Sequence, residues 1–333
     1  MTLSEFEPQY HQRVVSLGGG TGQYSFLAGL RRYNAPECIT AIAGTWDDGG
    51  DSGRRRVDEG ILPPGDARQC LLALCEPGKQ MEAAQALFNY RNHREESLGN
   101  EIISFFTKWA HGAQAGLDVV RDLLLMDSEV LYVTRNELVL YAETSRGNTL
   151  SGESAIDTRY KETDFDPEDR IESIYFDTDA QAERRAINAI MGADKIIIPS
   201  GSLYGSLLPH FLIDGISDAI ITSKGKLIFV MNLMSERGQT DMFVASDYID
   251  TFTDYLGDEE RLEYIIVNEN GLSKKVEESY KNAGQVPVEL DENNCKKLAP
   301  NAQIISASVA SFSRRRSLYR HDHRLAKVIL DLE

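Results

Sequence analysis

The sequence contains few cysteines, few tryptophans and far fewer basic than acidic residues. Its 333 residues include 4 cysteines and 2 tryptophans, and the cysteines are scattered without a C-x-x-C pair. This spacing argues against a structural zinc site and is typical of reduced thiols in a reducing compartment. The formal net charge of −17 argues against nucleic acid or an anionic membrane surface as the main partner.

Long apolar runs and a secretory leader are also missing. Nowhere do about 18 consecutive apolar residues occur, which predicts that the chain has no membrane span. The polar segment 1–12 carries Glu5 and Glu7 and is unlike a secretory signal. We find no repeat, linker or low-complexity stretch. These features predict one compact cytoplasmic unit over residues 1–333.

The strongest motif that is present is a glycine-rich loop between a predicted strand and a predicted helix. Val14–Gly22 reads VVSLGGGTG, and an amphipathic stretch, Tyr24–Tyr33, follows it. Glycine lets backbone N–H groups approach a phosphate closely, and the helix N-terminus adds the positive end of its dipole. The motif is neither a P-loop nor a dinucleotide fingerprint, whose third glycine is replaced by Gln23. A tight turn without a ligand is the alternative. The residues predicted to bind an anion are Gly18, Gly19, Gly20, Thr21 and Gly22.

A second group of charged residues follows the predicted strand Ile39–Thr45. The segment Asp47–Arg56 reads DDGGDSGRRR and is predicted to be a loop. Adjacent carboxylates suit a divalent cation such as Mg²⁺, and arginines suit phosphate oxygens. A solvated loop whose charges neutralise each other is the alternative. The candidate ligand-binding residues are Asp47, Asp48, Ser52, Gly53 and Arg54, with Asp47 and Asp48 as candidate metal ligands and Arg55 and Arg56 as further phosphate donors.

The middle of the chain is predicted to change from helices to strands. Gly60–Asp66 is predicted to be a rigid turn before the apolar helix Ala67–Cys75, and Asp66 is interpreted as the cap of that helix rather than a ligand contact. A hairpin of Leu131–Thr134 and Leu138–Thr144 is predicted within a β-rich insertion that spans residues 130–177.

Two later loops also follow predicted buried strands. The strand Lys195–Pro199 leads into a loop rich in glycine and serine, and the strand Lys226–Leu233 leads into a polar loop. The carboxyl ends of parallel strands meet at one edge of a sheet, so we expect Thr21, Asp48 and Tyr204 to share one cavity. The candidates in these loops are Gly201, Ser202, Leu203, Tyr204, Asn232, Thr240 and Asp241.

The alternation of strands and helices predicts the fold class. We expect an α/β protein with a doubly wound, mostly parallel Rossmann-like sheet, helices on both of its faces and a small β-rich insertion. The last predicted strands are Pro287–Leu290 and Ile304–Ser308.

Together these motifs resemble the YvcK-like gluconeogenesis (morphogenesis) factor family, which is related to the CofD-like 2-phospho-L-lactate transferases. The resemblance runs from about Val14 to the C-terminus. The matching motifs are GGGTG at Gly18–Gly22, DDGGDSGRRR at Asp47–Arg56, GILPPGDARQCLLAL at Gly60–Leu74, LGN at Leu98–Asn100, GES at Gly152–Ser154, GSLYGSLLP at Gly201–Pro209, NLM at Asn232–Met234, QTD at Gln239–Asp241, ASD at Ala245–Asp247 and RHD at Arg320–Asp322.

The resemblance implies a protein that binds a UDP-sugar, in particular UDP-N-acetylglucosamine, and regulates carbon metabolism, cell shape and envelope synthesis. It implies ligand contacts at Tyr280 and Arg320 and no required cofactor, with Mg²⁺ as a companion of a nucleotide diphosphate. The alternative is a Mg²⁺-dependent transferase that moves a phosphoryl-linked group from a nucleotide diphosphate, as in the 2-phospho-L-lactate transferases. Whether the chain forms a homo-oligomer stays open.

Four positions depart from the family pattern. Asp51 stands where the family commonly has serine, which would add negative charge beside the predicted phosphate site. Ser200 replaces a usual proline, Gly205 a usual threonine and Tyr248 a usual histidine.

Overall fold

The computed structural model describes residues 7–76, 78–272, 274–313 and 318–333. The strands in chain order are β1 (Val14–Gly18), β2 (Ile39–Ala43), β3 (Glu129–Tyr132), β4 (Leu140–Thr144), β5 (Thr149–Ser151), β6 (Ile171–Phe176), β7 (Lys195–Ile198), β8 (Lys226–Val230), β9 (Tyr264–Asn268), β10 (Gln303–Ala307), β11 (Ala310–Ser313) and β12 (Leu318–His321). The α-helices are α1 (Gly20–Leu30), α2 (Gly50–Glu59), α3 (Gly65–Leu74), α4 (Lys79–Phe88), α5 (Leu98–Trp109), α6 (Ala113–Leu123), α7 (Glu153–Thr158), α8 (Arg184–Gly192), α9 (Ile216–Thr222), α10 (Ala245–Leu256), α11 (Lys274–Asn282), α12 (Glu292–Leu298) and α13 (His323–Asp331).

A parallel sheet of seven strands forms the centre of the fold, in the order β10-β9-β8-β7-β1-β2-β3. The chain builds β1, β2 and β3 towards one edge, returns to place β7 on the other side of β1, and then continues to β10. The strand order therefore reverses between β1 and β7. In open α/β sheets such a switch point leaves a crevice at the carboxyl ends of the strands, where ligands bind.

The burial of β1 explains why it stands at the centre of the sheet. All five of its residues are buried, and they alternate between the two faces. Val15 and Leu17 belong to the hydrophobic cluster with α8, α9 and α10, whereas Val14 belongs to the cluster with α1, α3 and α13. A strand covered on both faces is typical of a parallel sheet with helices on each side. The predicted doubly wound α/β class is confirmed.

The predicted hairpin of Leu131–Thr134 and Leu138–Thr144 is wrong. β3 joins the edge of the central sheet beside β2, whereas β4 pairs antiparallel with β5 and β6 in a separate three-stranded sheet. The apolar residues of both strands suit either arrangement, and only the partner strands distinguish them. The small sheet and α7 together lie within the predicted β-rich insertion.

Two further predictions also need correction. Most of the predicted loop Asp47–Arg56 is the helix α2 (Gly50–Glu59), which is followed by Gly60 as its C-cap, with a left-handed φ of 61°. The predicted strand Pro287–Leu290 is represented only by an isolated bridge between Pro287 and Met234. Beyond β10 the chain adds an antiparallel pair of strands, β11 and β12, that the sequence pattern did not indicate.

Buried polar groups connect the C-terminal helix to the sheet. The Lys195 ammonium donates hydrogen bonds to the carbonyl oxygens of Ile329, Leu330 and Leu332, at 2.8, 3.0 and 2.6 Å. These carbonyls lie at the C-terminus of α13, where free acceptors and the helix dipole favour a cation. All four cysteines are free thiols. In the part of the chain that the structure describes, no helix is both long and apolar enough to cross a bilayer.

Candidate functional site

The carboxyl ends of β1, β2, β7 and β8 surround a cleft made of three adjoining cavities. The largest opening next to the glycine loop, which we call the central cavity, has a volume of about 440 Å³. Its wall contains the glycine loop, Asp47 after β2, Ser202 after β7 and Glu236 after β8. The predicted convergence of loops from separate strands is therefore present in the structure.

A second cavity, the tyrosine cavity, opens on the other side of the glycine loop. It has a volume of about 230 Å³ and is lined by Tyr280, Tyr319, Arg320, His321 and Asn232. Four residues line both this cavity and the central cavity, so the two cavities adjoin each other. The shared residues are Thr21, Gly22, Gly201 and Glu236.

The third cavity, the outer cavity, lies beyond Glu236. It has a volume of about 430 Å³ and is lined by Tyr160, Arg237, Gln239 and Gln285, among others. It shares Asp157, Ser202 and Glu236 with the central cavity.

Glycine is required at position 22 by the close approach of two loops. A Cβ atom on Gly22 would lie 1.6 Å from the carbonyl oxygen of Ser200, which no side chain can tolerate. The first turn of α1 and the loop after β7 therefore touch backbone to backbone at the switch point. This contact explains why the glycine run extends past the turn itself into the helix.

The N-terminus of α1 already has an anionic partner inside the protein. Asp66 Oδ1 accepts a hydrogen bond from the Gly20 N–H at 2.9 Å. Asp66 lies in the first turn of α3, and its side chain accepts the hydrogen bond from α1. The sequence interpretation is therefore corrected, because Asp66 caps α1 and lines the central cavity.

The central cavity is rich in carboxyl groups whose pKa values are raised by burial. Burial, and then the nearby Asp47, raise the pKa of Asp66 to about 7. Burial, and then the nearby Asp157, raise the pKa of Glu236 to about 7. The pKa values of Asp47, Glu153 and Asp157 are also raised, in each case chiefly by burial. At neutral pH the cluster therefore carries less negative charge than its five carboxyl groups suggest.

The adjacent carboxylates Asp47 and Asp48 have different surroundings. Asp47 lines the central cavity and accepts the Gly49 N–H at 2.8 Å. Asp48 is not among the residues that line the cavity, and its Oδ1 accepts the Ser154 N–H at 2.8 Å, in the first turn of α7. A cation shared by Asp47 and Asp48 is not supported by this arrangement. Within the described ranges, no three His, Cys, Asp or Glu side chains are grouped as a metal site.

The three arginines of α2 are not arranged as phosphate donors. Arg55 is buried and binds Asp51, Glu59 and Glu101 at 3.1, 2.9 and 2.7 Å. The Arg54 side chain donates to the carbonyl oxygen of Arg94 at 3.2 Å. Because α2 is a helix, successive side chains point in different directions, and none of Arg54, Arg55 and Arg56 is among the residues that line the cleft.

The hydrogen bonds around the buried Arg55 also explain the aspartate at position 51, where the family resemblance predicts serine. Its buried carboxylate accepts hydrogen bonds from the Ser97 N–H and the Asn100 amide, both at 2.9 Å, and from Arg55. Asp51 therefore joins α2 to α5. The sequence suggested that Asp51 adds negative charge beside the phosphate site, but Asp51 is not among the residues that line the central cavity.

Several predicted binding residues lie behind the cleft rather than in its wall. Leu203 and Tyr204 are buried in the hydrophobic core, and the Tyr204 hydroxyl faces the Ile171 carbonyl at 3.4 Å. Thr240 is buried and bonded to Tyr248 and Glu236. The prediction that Thr21, Asp48 and Tyr204 share one cavity is therefore wrong for two of the three residues. Thr21 lines the central cavity, but Asp47 lines it in place of Asp48, and Ser202 in place of Tyr204.

Four further predicted residues, Gly18, Ser52, Gly53 and Asp241, have packing or supporting roles. A Cβ on Gly18 would lie 2.9 Å from Pro199 Cγ, and a Cβ on Gly53 would lie 1.9 Å from the Asp48 carbonyl oxygen. Ser52 is buried beside Asp47 and lowers the pKa of that carboxyl through its hydroxyl, against the larger effect of burial. Asp241 accepts the Gly238 N–H at 2.7 Å and supports the loop after β8.

The tyrosine cavity contains the two residues that the family resemblance indicated. The Tyr280 hydroxyl accepts the Tyr319 N–H at 2.9 Å, which joins α11 to the strand that carries Arg320. Asn232 fixes the facing loop, since its side-chain amide exchanges two hydrogen bonds with the Gly201 backbone, at 3.0 and 2.8 Å. Tyr280, Arg320, Asn232 and Gly201 therefore meet at one opening.

Sequence reasoning missed several residues of the cleft. His321 lies beside Arg320, and burial lowers its pKa to about 4, so the ring is neutral and bonds to Ser200 Oγ at 2.9 Å. Glu153 belongs to the GES motif, and Asp157 lies one helical turn after it in α7. Their spacing of four residues could have indicated that both carboxyl groups lie on the same face of this helix. No motif or spacing in the sequence indicated that Arg237 lines the cleft.

Fold and cleft together define the class: a doubly wound α/β protein with its ligand cleft at the switch point of the sheet. The family model described as 2-phospho-L-lactate transferase CofD matches residues 14–309, and the chain belongs to this CofD family. Within it, the chain is similar to proteins named gluconeogenesis factor. The predicted family is confirmed.

The similarity extends over most of the chain. The gluconeogenesis factor of Halalkalibacterium halodurans is 33% identical over 86% of this chain and 87% of that protein. The gluconeogenesis factor of Bacillus subtilis is 31% identical over 96% of this chain and 98% of that protein. A crystal structure of a UPF0052 family member from Bacillus halodurans has a TM-score of 0.85 at 31% identity and covers 96% of this chain and 100% of that chain.

Proposed function

We propose that the cleft binds a UDP-sugar of the UDP-N-acetylglucosamine type and that the protein acts as a ligand-dependent regulator of carbon metabolism, cell shape and envelope synthesis. The observation that carries this proposal is the shared wall of two cavities. Thr21, Gly22 and Gly201 border the tyrosine cavity and the central cavity alike. A ligand with a base, a diphosphate and a sugar matches two chambers joined at an anion-binding loop.

The diphosphate would lie at the N-terminus of α1. Free N–H groups and the helix dipole favour an anion there, and the Arg320 guanidinium lines the adjoining cavity. The Gly20 N–H is bonded to Asp66, whose pKa of about 7 lets it bind a proton near neutral pH. A protonated Asp66 could then donate a hydrogen bond to a phosphate oxygen instead of repelling it.

The nucleoside would occupy the tyrosine cavity. Its lining includes the aromatic side chains of Tyr280 and Tyr319, the apolar side chain of Met234 and the polar side chains of Asn232 and Arg320. Base recognition commonly combines an aromatic surface with a few side chains that hydrogen-bond.

The sugar would occupy the central cavity. Carboxyl groups of Asp47, Glu153 and Asp157 line it, together with the hydroxyl of Ser202. Carboxylates accept hydrogen bonds from sugar hydroxyls, and protonated carboxyls donate them. This chamber therefore suits a neutral, hydroxyl-rich group better than a second phosphate.

Calorimetric titration with UDP-N-acetylglucosamine tests the proposal. We expect saturable binding by the wild-type protein and a loss of at least about tenfold in affinity for Arg320→Ala, since a charged hydrogen bond contributes about 1.5–3 kcal/mol. The matched control is Arg146→Ala, which removes an arginine of the small sheet that pairs with Asp166 outside the cleft. No heat of binding from correctly folded wild-type protein would refute the proposal.

A transferase reaction is the second candidate function. The matching family model is described as a 2-phospho-L-lactate transferase, and two carboxyls of the cleft, Asp66 and Glu236, have pKa values of about 7, which suits a general base. Incubation with guanylyl-activated 2-phospholactate and a deazaflavin alcohol should then form product. Failure to form product at high protein concentration would exclude this reaction and leave the binding role.

A further inference from the structure

We propose that the outer cavity binds a carboxylate carried by the sugar of the nucleotide-sugar, with the Arg237 guanidinium as the anion-binding group. This inference rests on the proposed function, because it extends the same ligand beyond the central cavity. It assigns the protein a preference for acidic over neutral sugars.

Arg237 packs against two aromatic rings, and it attracts Asp241 without forming a hydrogen bond or salt bridge with it. Its guanidinium carbon lies 5.7 Å from the ring centre of Tyr160 and 5.9 Å from that of Phe165. Such a distance is typical of a cation–π contact, which orients a guanidinium while leaving its N–H groups free. To the described residues, Arg237 makes no hydrogen bond or salt bridge.

A neighbouring arginine on the same ring shows the contrast. Arg159 lies 5.5 Å from the Phe165 ring centre, but it is buried and forms a salt bridge of 3.3 Å with Asp169. Arg159 therefore has a structural partner, whereas Arg237 is exposed and lines the outer cavity. Of the two, Arg237 is available to a ligand.

The backbone is shaped around the Arg237 side chain. A Cβ on Gly284 would lie 2.6 Å from Arg237 Cδ, so the absence of a side chain there leaves room for the arginine stem. Gly238 follows with a φ of 90°, and its N–H is held by Asp241 at 2.7 Å. The loop after β8 thus presents the guanidinium to the cavity in a defined direction.

The outer cavity lies where a substituent of the sugar would project. It shares Asp157, Ser202 and Glu236 with the central cavity, so a group attached to a sugar there can enter it directly. Gln239 fixes this boundary, because its amide donates to Asp157 at 2.8 Å and its oxygen accepts the Ser202 hydroxyl at 2.9 Å.

The charges around the cavity select the class of substituent. Asp157 and Glu236 line it and Asp241 lies nearby, so hydroxyl groups already have acceptors there without Arg237. A free guanidinium adds a fork of N–H donors that matches a carboxylate in bidentate geometry. It also offsets the repulsion between a bound carboxylate and the two acids.

UDP-glucose and UDP-glucuronate test the proposal, because they differ only in a CH₂OH group replaced by a carboxylate. By calorimetry we expect the wild-type protein to bind UDP-glucuronate about tenfold more tightly than UDP-glucose, as one charged hydrogen-bond pair implies. Arg237→Gln should remove this preference by weakening the binding of UDP-glucuronate more than that of UDP-glucose. Lys161→Gln is the matched control, since Lys161 contacts the same Tyr160 ring but does not line the cavity.

The possible failures are distinguishable. If no UDP compound binds, the proposed function itself fails. If UDP-glucose binds as tightly as UDP-glucuronate, or if Arg237→Gln weakens both ligands equally, the outer cavity does not select a carboxylate and this inference is overturned. Arg237→Lys separates charge from geometry, because a bidentate contact predicts only partial retention of the preference.

Discussion

Asp66 Oδ1 and the Gly20 N–H are joined by a hydrogen bond of 2.9 Å, which places a carboxyl group at the N-terminus of α1. This is the position where the glycine loop would bind a phosphate. Two anions at one helix N-terminus repel each other, so the protonation of Asp66 and the binding of an anionic ligand are coupled.

The affinity for a UDP-sugar should fall as the pH rises above 7. Asp66 has a pKa of about 7 in the free protein, and a bound diphosphate favours its protonated form. Binding above pH 7 must then take up a proton, which costs up to about tenfold in affinity per pH unit for one proton. Calorimetry between pH 6 and 8.5, in buffers that differ in ionisation enthalpy, measures the uptake directly. Asp66→Asn should reduce it, and an unchanged uptake would assign the proton to another group.

The same carboxyl predicts how stability depends on pH. Burial raises the pKa of Asp66 from its ordinary value of 3.8 to about 7, so the folded protein binds more protons than the unfolded chain between these values. The contribution of Asp66 to the free energy of unfolding should therefore fall as the pH rises from about 4 to 7 and change little above that range. Asp66→Asn keeps a hydrogen-bond acceptor for Gly20 and should be more stable than wild type at pH 8, with no difference at pH 4. Chemical denaturation at the two pH values measures this, and Glu259→Gln, at an exposed acid, controls for net charge.

Gly22→Ala should damage both stability and binding. The new Cβ would lie 1.6 Å from the Ser200 carbonyl oxygen, so α1 and the loop after β7 would have to separate. We expect a loss of at least about 3 kcal/mol in the free energy of unfolding, because the contact is between backbone atoms that cannot rotate away. Gly271→Ala is the matched control, since nothing lies within 4 Å of a Cβ there. Equal stability of the two variants would contradict the backbone contact.

The sequence was sufficient to predict the sheet and the place of the cleft. Buried β-branched strands followed by glycine-rich loops indicate parallel strands whose carboxyl ends converge, and Thr21, Asp47, Gly201 and Asn232 do meet there. Which member of each loop faces the ligand could not be predicted. The choice between Asp47 and Asp48, or between Ser202 and Tyr204, depends on the direction of a single side chain. Neither residue type nor spacing determines that direction.

The charged segment Asp47–Arg56 shows a second limit. Its composition is that of a loop, and glycine lowers helix propensity. The helix α2 is stabilised instead by contacts distant in sequence, since Asp51 bonds to Ser97 and Asn100 and Arg55 binds Glu101. Buried ion pairs of this kind are visible only once the packing of α2 against α5 is known.

Asp51→Ser, which introduces the residue expected from the family resemblance, should lower stability without affecting ligand binding. The substitution leaves the buried Arg55 without one acid and two donors, Ser97 N–H and Asn100, without their acceptor. Breaking a buried pair in this way costs about 3 kcal/mol. Thermal denaturation should show the loss, while calorimetry below the melting temperature should show an unchanged affinity for the UDP-sugar. A weaker ligand affinity at equal stability would instead place Asp51 beside the ligand.

Asp48→Ala should weaken ligand binding to the same extent with and without Mg²⁺. Asp48 accepts the Ser154 N–H at 2.8 Å, and Gly152, with a φ of 97°, lies so close that a Cβ there would be 1.9 Å from Asp48 Oδ2. This carboxylate caps the first turn of α7 and so positions Glu153 and Asp157 in the central cavity. Loss of a helix cap costs about 1 kcal/mol in stability.

A metal-binding role for Asp48 and a positioning role predict different results in the presence of EDTA. If Asp48 bound a cation, its removal would weaken binding only when Mg²⁺ is present, and EDTA would make the variant and the wild-type protein equal. If Asp48 only positions α7, the difference between variant and wild type persists in EDTA. Asp179→Ala, at an exposed acid with no hydrogen bond to the described residues, is the matched control for the lost charge. Because Asp47 faces the cavity and Asp48 faces α7, we expect the difference to persist in EDTA.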